Sequence, residues 1–359
     1  MDEAFTARAL FLAARGQGTT SPNPMVGAVV VSPEGVVVGS GYHEMAGSPH
    51  AEVVALEAAG DRARGATLYC TLEPCCHVGR TGPCTRRIVA AGITRVVASL
   101  RDPNPLVAGG GFAELRGSGI EVVEGCLTRE AARLNAAFLT WMQQRRPYVI
   151  GKAALTGDNA VAGPGGARLA ITSQEANRLA HRERAAVDAI GVGSGTILAD
   201  DPLLTARGAW RRMPLTRVIF DRSLRTPPLS RLFSTSASGP VIIVSTASQM
   251  AAHPERVAQL ERAGAEVEGV PDGDLLLTLQ MLARRGITSL LLEGGPRIHA
   301  SFCQAGLIDA WHLYYSPAVA GRERVGWLGP AECRLPAPPQ RVRPCGADVR
   351  MDIDVHRID

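Results

Sequence analysis

The chain has 359 residues, 46% of them hydrophobic and 20% charged, with a formal net charge of +4. These values are typical of a folded globular protein and exclude a disordered, fibrous or membrane-spanning chain; the length favours two domains. Residues 1–146 contain 14 basic and 13 acidic side chains, so no nucleic-acid surface is expected. The first helix lacks the features of a signal peptide, so we expect a cytoplasmic protein whose eight cysteines are metal ligands or buried thiols.

Helices and strands alternate in the pattern predicted for the first 146 residues. In chain order the sequence predicts a helix at Asp2–Arg15, strands at Val26–Val31 and Val36–Tyr42, a helix at His50–Ala59, a strand at Ala66–Thr71, a helix at Thr85–Ala91, a strand at Arg95–Leu100, a helix at Gly111–Arg116, a strand at Ile120–Glu124 and a long closing helix at Arg129–Gln144. Such alternation is typical of an α/β sheet with helices on its faces. Charge and a proline in QQRRPYV interrupt the pattern, so we place a domain boundary at Arg146.

A second α/β domain is predicted for residues 147–359. Apolar strand candidates recur, with helical stretches between most of them, at YVIGKAAL, DAIGVG, LTRVIFD, GPVIIVST, AEVEGV, ITSLLLEGG and AWHLYYSPAVA. Two segments are predicted to be loops, Arg207–Thr216 and the proline-rich Gly329–Pro344.

Three potential metal ligands lie close together in the first domain. His50 begins HAEVVALEAAG, and Cys75 and Cys84 follow in TLEPCCHVGRTGPC. Zinc takes four tetrahedral nitrogen or sulfur ligands, and a catalytic site supplies only three of them so that water occupies the fourth position. We therefore predict a catalytic zinc site.

Glu52 is the candidate proton shuttle of this site. We expect Ser48 to cap a helix and Pro49 to open it, which places His50 and Glu52 in its first turn. From there the carboxylate cannot easily bind the same ion, but it can take a proton from bound water and pass it to a leaving nitrogen. H-x-E followed by P-C-x-x-C is the signature of zinc nucleobase deaminases, although here eight residues separate the two cysteines.

Other interpretations of the cluster stay open at this level. Cys76 or Cys70 could supply a fourth protein ligand, which would make the site structural. Cys75 and Cys76 could be buried thiols, and His50 a core histidine. A non-catalytic zinc-stabilised module and an RNA-editing deaminase are further alternatives; the second needs a basic channel and stacking aromatics, whereas aromatic residues make up only 4% of the chain.

The first domain resembles the deaminase half of the bacterial bifunctional riboflavin-biosynthesis deaminase–reductases. The resemblance rests on NPMVGAVVV, HAEVVAL, TLEPCCHVGRTGPC and RDPNPLVAGGG, and that family shares the longer cysteine spacing. It implies a cytidine-deaminase-like α/β/α fold, zinc bound by His50, Cys75 and Cys84, and proton transfer by Glu52. It also implies substrate contacts, each of which could instead be a turn or cap residue, at Asn23, His43, His77, Arg80, Asp102 and Asn104.

A glycine-rich turn is the main feature of the second domain. An apolar strand ends at Glu293, two glycines follow, and Pro296 opens a helix. Free backbone N–H groups at such a turn suit the pyrophosphate of a dinucleotide, although Gly-Gly before a helix is as often a plain turn. GVGSGTILADDPLLTAR lacks a complete G-x-G-x-x-G pattern, which disfavours an ordinary Rossmann dehydrogenase.

VGSGTILADDPLLTAR, LLLEGGPRIHASF and AITSQEANRLAHRERAAVDAI resemble the reductase half of the same family. The resemblance implies a dihydrofolate-reductase-like α/β fold with NADPH as the reductant. It implies substrate contacts, with two arginines gripping a phosphate, at Arg184, Leu204, Arg207 and Glu293. It implies cofactor contacts at Ala154, Thr196, Asp200, Ser223, Gly295, Pro296, Arg297, Ile298, His299, Ala300 and Ser301. Arg184 could instead lie on a solvated helix face, and Asp200 could cap a turn.

Three positions depart from the pattern of that family: Asn159 stands in place of a glycine, Ala160 of a basic residue and Ala170 of a tryptophan. Lys152, the only lysine of the chain, matches a lysine frequent in relatives. The resemblance implies hydrolytic deamination of 2,5-diamino-6-(5-phosphoribosylamino)pyrimidin-4-one, then NADPH-dependent reduction of the ribosyl group to ribityl, in a homo-oligomer. A deaminase with a degenerate second domain is the nearest alternative.

Overall fold

The computed structural model describes residues 1–77, 82–105, 107–328 and 338–356. The chain divides into two compact units, Met1–Arg145 and a second that begins at Arg146. Each unit has its own main β-sheet. Within the described ranges, no helix is both long enough and apolar enough to cross a membrane.

The first unit is a five-stranded sheet with helices on its faces, which confirms the α/β expectation. Its helices are α1 (Asp2–Ala13), α2 (Ala51–Ala59), α3 (Cys84–Ala90), α4 (Gly110–Gly117), α5 (Thr128–Leu134) and α6 (Ala136–Gln144), and its strands are β1 (Gly27–Val31), β2 (Val37–Tyr42), β3 (Thr67–Cys70), β4 (Arg95–Ala98) and β5 (Glu121–Glu124). The strand order is β2-β1-β3-β4-β5, with β1 antiparallel to β2 and β3, and β3, β4 and β5 parallel.

Close packing of α2 against the sheet sets the position of the predicted metal ligand next to it. A Cβ atom on Gly39 of β2 would lie only 2.2 Å from the carbonyl oxygen of Ala55 on α2, so the strand needs glycine there. Every residue of β1 is buried because helices cover both faces of the sheet at this strand. The start of α2 is therefore fixed by the core.

The prediction of a single closing helix at Arg129–Gln144 is wrong, because Asn135 interrupts the helix. Asn135 has φ −101° and ψ 18°, outside the helical region, and separates α5 from α6. Its side chain is 1% exposed, accepts a hydrogen bond from the backbone nitrogen of Met25 (2.8 Å) and donates one to the carbonyl oxygen of Met25 (2.9 Å). The amide of Asn135 thus binds a distant backbone segment at the point where the helix breaks.

The second unit contains a nine-stranded sheet and a separate two-stranded ribbon. Its helices are α7 (Gln174–Ala186), α8 (Ser194–Asp200), α9 (Ala247–Ala252), α10 (Pro254–Arg262), α11 (Leu275–Arg284) and α12 (Pro296–Gln304). Its strands are β6 (Tyr148–Leu155), β7 (Ala160–Ala162), β8 (Ala189–Gly193), β9 (Thr216–Phe220), β10 (Val241–Thr246), β11 (Ala265–Val270), β12 (Ser289–Glu293), β13 (Ala310–Tyr315), β14 (Val325–Gly326), β15 (Arg341–Cys345) and β16 (Asp348–Asp354). Five short 3-10 helices complete the described elements, at Ala14–Gly16, Gly60–Ala63, Pro164–Gly166, Arg231–Ser238 and Pro271–Gly273.

Parallel strands make up most of the larger sheet, whose order is β11-β10-β9-β8-β12-β6-β13-β16-β15. The strands from β11 to β13 run parallel, whereas β16 and β15 are antiparallel to their neighbours. The carboxyl ends of β9, β8, β12 and β6 therefore meet at one edge of the sheet. Ligands of open α/β sheets bind at this edge.

Part of the loop predicted at Gly329–Pro344 is a strand, which corrects that expectation. Residues 341–344 belong to β15, the edge strand that pairs with β16. An edge strand tolerates Pro344, because proline removes only one ladder hydrogen bond there. Residues 329–337 of the predicted loop lie outside the described part of the chain.

We predict that Asn135→Ala destabilises the first unit by about 2 to 4 kcal/mol, since a buried donor and a buried acceptor of Met25 lose their partner. Thermal or urea unfolding of the purified protein measures this change. Gln143→Ala, at an exposed position of α6, is the matched control and should have little effect. A loss of stability no larger for Asn135→Ala than for this control would contradict the anchoring role.

Candidate active site

Three predicted zinc ligands converge in the first unit, although each comes from a different element. His50 directly precedes α2, Cys75 lies in the loop after β3, and Cys84 is the first residue of α3. The Nδ1 atom of His50 is 3.5 Å from Sγ of Cys75 and 3.3 Å from Sγ of Cys84. All three ligand atoms lie within 4.8 Å of one another.

These distances suit one tetrahedral zinc ion. Bonds of about 2.0 Å to nitrogen and about 2.3 Å to sulfur place neighbouring ligand atoms roughly 3.5 to 3.8 Å apart. Cys70 hydrogen bonds instead toward the carbonyl oxygen of Val97, and neither Cys70 nor Cys76 belongs to the ligand cluster found among the described residues. The geometry therefore offers three protein ligands, as in catalytic zinc sites.

Hydrogen bonds within the cluster favour the thiolate that a metal requires. Those from the Cys84 side chain and from His50 lower the pKa of the Cys75 thiol to about 4. The backbone nitrogen of Cys84, at the start of α3, also donates to Sγ of Cys75 at 3.4 Å. The side-chain hydrogen bond with Cys75 and burial raise the pKa of the Cys84 thiol.

Glu52 lies beside the cluster without belonging to it. Its carboxyl is 3% exposed and shares a hydrogen bond with the Cys84 side chain; burial raises the pKa of Glu52. It lies in the first turn of α2, as predicted, but the predicted cap is wrong. His50 occupies the N-cap position, while Ser48 donates to the carbonyl oxygen of Met45 (2.7 Å), because the helix begins at Ala51 rather than Pro49.

Asn23 and His43 lie together next to His50. Nδ1 of His43 is 3.1 Å from the carbonyl oxygen of Pro49, which can only accept, so this nitrogen carries the proton. Nε2 of His43 then accepts from Nδ2 of Asn23, also at 3.1 Å. Burial lowers the pKa of His43, and its ring centroid is 5.6 Å from that of His50. Two predicted substrate contacts are thus held adjacent to a zinc ligand.

Asp102 and His77 also lie near the cysteines of the cluster. Oδ1 of Asp102 accepts from the backbone nitrogen of Asn104 at 2.8 Å, and burial raises the pKa of Asp102 to about 6. Nδ1 of His77 is buried and has no hydrogen-bond partner among the described residues. Arg80, a further predicted contact, lies outside the described residues.

Glu73 is a site residue that the sequence interpretation missed. Its carboxylate is 3% exposed and accepts four backbone N–H groups. Oε2 takes those of Asp102 (3.1 Å) and Gly109 (3.0 Å), and Oε1 takes those of Gly111 (2.9 Å) and Phe112 (3.2 Å). The sequence feature that could have indicated this role is an acidic residue between an apolar strand and Pro-Cys. Glu73 holds the segment that carries two predicted substrate contacts, Asp102 and Asn104.

A cavity of about 1230 Å³ lies at the carboxyl edge of the larger sheet. A pocket for one drug-sized ligand occupies about 300 to 1000 Å³, so this cavity has room for a dinucleotide and a second small molecule. Four predicted substrate residues line it, and so do most of the predicted cofactor residues: Arg184, Leu204, Arg207, Glu293, Ala154, Thr196, Asp200, Ser223, Gly295, Pro296, Arg297, Ile298 and Ser301.

The start of α12 fits the phosphates of a dinucleotide. Gly295 is the N-cap, and the first N–H groups of the helix have no intrahelical acceptor. A Cβ atom on Gly294 would lie 2.4 Å from Cγ2 of Ile298, so the turn is closely packed. The donor set and the size of the cavity therefore suit NADPH.

His299 and Ala300 do not line this cavity, contrary to the prediction. His299 is 0% exposed, lies 3.2 Å through Nε2 from the carbonyl oxygen of Leu292, and accepts at Nδ1 from the indole of Trp327 (3.0 Å). Its position on α12 faces the core, where Trp311 also contacts the ring. The seven-residue run predicted from the sequence ignored the helical period, which turns part of α12 inward.

Arg184, one of the predicted substrate residues, forms an ion pair with Glu293. Nε and Nη2 of Arg184 each donate to one carboxylate oxygen of Glu293 at 2.7 Å, and the pair lowers the pKa of Glu293 to about 2 against its burial. Nη1 of Arg184 donates to the carbonyl oxygen of Thr205 at 3.1 Å. Three of the five N–H groups of Arg184 therefore have protein acceptors, and Arg207 is one of the exposed arginines that line the cavity.

The turn that departs from the family pattern keeps its structure. Asn159 has φ 64°, in the left-handed region that glycine and asparagine adopt most readily. Asp158 accepts hydrogen bonds from Oγ1 of Thr156 (2.6 Å) and the backbone nitrogen of Ala320 (3.0 Å), and these lower the pKa of Asp158 to about 2. Ala160 is buried in β7, whereas Ala170 is exposed. Asparagine thus replaces glycine without loss of the turn.

The fold and the two sites define the class of protein. A His-Cys-Cys cluster beside a buried glutamate is the site of a zinc-dependent nucleobase deaminase. The family described as cytidine and deoxycytidylate deaminase zinc-binding region matches residues 1–100, and the RibD C-terminal domain matches residues 147–349.

Known proteins similar over most of the chain give the family. The riboflavin biosynthesis protein RibD of Aquifex aeolicus is 41% identical, covering 92% of this chain and 91% of that protein; RibD of Escherichia coli is 40% identical, covering 93% and 91%. The structure of Acinetobacter baumannii RibD is 34% identical, with a TM-score of 0.87 and 98% of both chains covered. A Thermotoga maritima deaminase/reductase is also 34% identical, with a TM-score of 0.85 and 98% of both chains covered.

The chain belongs to the RibD family of riboflavin biosynthesis proteins, which combine a deaminase and a reductase. Zinc is the cofactor of the deaminase domain and NADPH that of the reductase domain. Both fold expectations drawn from the resemblance are confirmed.

We predict that Glu73→Gln lowers kcat/KM of deamination roughly 10- to 100-fold while zinc stays bound. The amide NH2 group cannot accept hydrogen bonds, so two of the four backbone N–H groups lose their partner. Steady-state ammonia release and zinc analysis by atomic absorption measure the two quantities. Glu57→Gln, at an exposed position of α2, is the control. Unchanged deamination by Glu73→Gln would contradict this role.

Proposed function

We propose that the chain carries out two successive reactions, with residues 1–146 as the deaminase domain and residues 147–359 as the reductase domain. The first is hydrolytic deamination of 2,5-diamino-6-(5-phosphoribosylamino)pyrimidin-4-one, and the second reduces the ribosyl group of its product to ribityl. The convergence of His50, Cys75 and Cys84 beside Glu52 carries this proposal. The name of the similar Thermotoga maritima protein, a diaminohydroxyphosphoribosylaminopyrimidine deaminase and 5-amino-6-(5-phosphoribosylamino)uracil reductase, supports the choice of substrates.

In the deaminase domain, His50, Cys75 and Cys84 would hold zinc, which supplies a Lewis acid that makes water a stronger nucleophile. Glu52 takes a proton from the attacking water and gives it to the nitrogen that leaves as ammonia. Its burial beside Cys84 excludes bulk solvent from this transfer. Six residues orient the substrate: Asn23, His43, His77, Arg80, Asp102 and Asn104.

Hydrogen bonds within the protein decide which groups of Asn23, His43 and His77 remain for the substrate. The Nδ1–H of His43 donates to the carbonyl oxygen of Pro49, so its Nε2 accepts from the amide of Asn23 and fixes that amide. The remaining groups of the Asn23 amide can form hydrogen bonds with the pyrimidine edge. Nδ1 of His77 remains available for a ligand group, because it has no partner among the described residues.

In the reductase domain, NADPH would supply hydride to C1′ of the ribosyl group, while the bond from C1′ to the ring oxygen breaks and that oxygen takes up a proton from solvent. The cavity residues position the reactants. Free N–H groups at the start of α12, together with Thr196, Asp200 and Ser223, bind the cofactor. Glu293, held by Arg184, faces the same cavity and can accept hydrogen bonds from sugar hydroxyl groups. Arg207 meets the substrate phosphate.

We further propose a cytoplasmic homo-oligomer that acts on a small molecule. Light scattering of the purified protein would test the oligomeric state, and a mass equal to one chain would reject it.

We predict that Glu52→Gln lowers deamination by roughly 10²- to 10⁴-fold, because it removes the proton acceptor, while zinc content stays at one ion per chain. Ammonia release and metal analysis measure these quantities, with Glu57→Gln as the control. Normal turnover by Glu52→Gln would leave only a structural metal site.

We predict that purified protein given the deaminated product and NADPH oxidises the cofactor, seen as loss of absorbance at the reduced nicotinamide band. The intact Asp158 turn and the Arg184–Glu293 pair support an active second domain despite its departures from the family pattern. Ammonia release from the first substrate without any NADPH oxidation would instead show a degenerate reductase.

A further inference from the structure

His181 lines the cavity of the second unit and contacts the loop that carries two predicted substrate residues. It lies on α7, one helical turn before Arg184, so both side chains project from the same face of the helix. Its imidazole lines the cavity together with Arg184, Arg207 and Glu293. The signal in the sequence was the i, i+3 spacing of a histidine and an arginine in HRER.

One ring nitrogen of His181 contacts the backbone of the loop that carries two predicted substrate residues. Nδ1 is 3.1 Å from the backbone nitrogen of Arg207 and 3.1 Å from the carbonyl oxygen of Thr205. A protonated Nδ1 would donate to Thr205, whereas an unprotonated Nδ1 accepts from Arg207. Between these residues and α7, Leu204 adopts a positive φ of 53°, so this loop needs external support.

The arrangement in which an unprotonated Nδ1 of His181 accepts from Arg207 gives more hydrogen-bonding groups a partner. The carbonyl oxygen of Thr205 already accepts from the charged guanidinium of Arg184 at 3.1 Å. The N–H of Arg207 has Nδ1 of His181 as its acceptor. Burial and the charges of Arg184 and Arg207 lower the pKa of His181, which keeps the ring neutral with one proton. That proton is then on Nε2, on the ring edge away from the loop.

We propose that His181 binds the phosphate monoester of the reductase substrate by donating its Nε2–H, next to the guanidinium of Arg207. The inference rests on the proposed reductase function. The Nε–Nη2 edge of Arg184 is engaged by Glu293, so this edge cannot hold the phosphate in a bidentate pair, and a further donor beside Arg207 would strengthen its binding. His181 supplies it, while its Nδ1 keeps the backbone nitrogen of Arg207 in place.

Two substitutions separate the roles of the two ring nitrogens. In His181→Asn the amide oxygen can take the place of Nδ1 and accept from Arg207, but the Nε2 donor is lost. In His181→Gln the amide NH2 group can reach the place of Nε2, but the acceptor for Arg207 is lost. Arg182→Gln, at the exposed neighbouring position of α7, is the matched control.

We expect His181→Asn to raise KM for the deaminated substrate about tenfold, with kcat within about twofold of wild type, because the contact lies away from the reacting carbon. His181→Gln should raise KM less than His181→Asn does. Deamination by the same chains should stay at the wild-type rate, which shows that the variants are folded. A wild-type KM for His181→Asn, or a KM increase for His181→Gln that equals or exceeds it, overturns the proposal.

Direct binding distinguishes the substrate phosphate from the phosphates of the cofactor. Calorimetric titration with ribose 5-phosphate should give a Kd about tenfold weaker for His181→Asn than for wild type, and titration with NADPH should give equal Kd values. A weaker Kd for NADPH with an unchanged Kd for ribose 5-phosphate would place the donor in the cofactor site and reject the inference. Wild-type protein that binds ribose 5-phosphate but never oxidises NADPH would reject the proposed reductase function alone.

Discussion

The approach of one imidazole nitrogen and two sulfur atoms to within 4.8 Å is the constraint on which the first unit depends. His50, Cys75 and Cys84 come from three elements, so their positions depend on how α2, β3 and α3 pack together. Close packing of α2 on β2 at Gly39 fixes the first element, and the backbone nitrogen of Cys84 bonded to Cys75 connects the other two.

The second unit differs from the first in that it holds charged groups inside a cavity at the edge of a parallel sheet. Arg184 and Glu293 are largely buried, and removing one partner of such a pair leaves an uncompensated charge that costs several kcal/mol. Their mutual hydrogen bonds therefore hold both side chains in defined positions from α7 and β12. The same cavity is also lined by His181 and by the exposed Arg207.

Sequence patterns predicted strands of both sheets well: β6 and β11 have the predicted bounds, and β1 begins one residue after the predicted Val26. They failed where a single side chain contacts a distant backbone segment, as Asn135 does with Met25, because periodicity contains no tertiary contacts. The metal ligands could be predicted from the sequence because they are close together in it. The pairing of Arg184 and the role of Glu73 could not be predicted, since each depends on a partner far away in the chain.

Glu73 has a consequence for how the deaminase site meets its ligand. With four amide groups converging on one carboxylate, the backbone around Asp102 is already ordered in the free protein. Fixing one residue costs about 1 to 2 kcal/mol of conformational entropy, and this cost is incurred during folding rather than at the encounter with a ligand. More of the contact energy then remains available for affinity and for alignment of the reacting atoms.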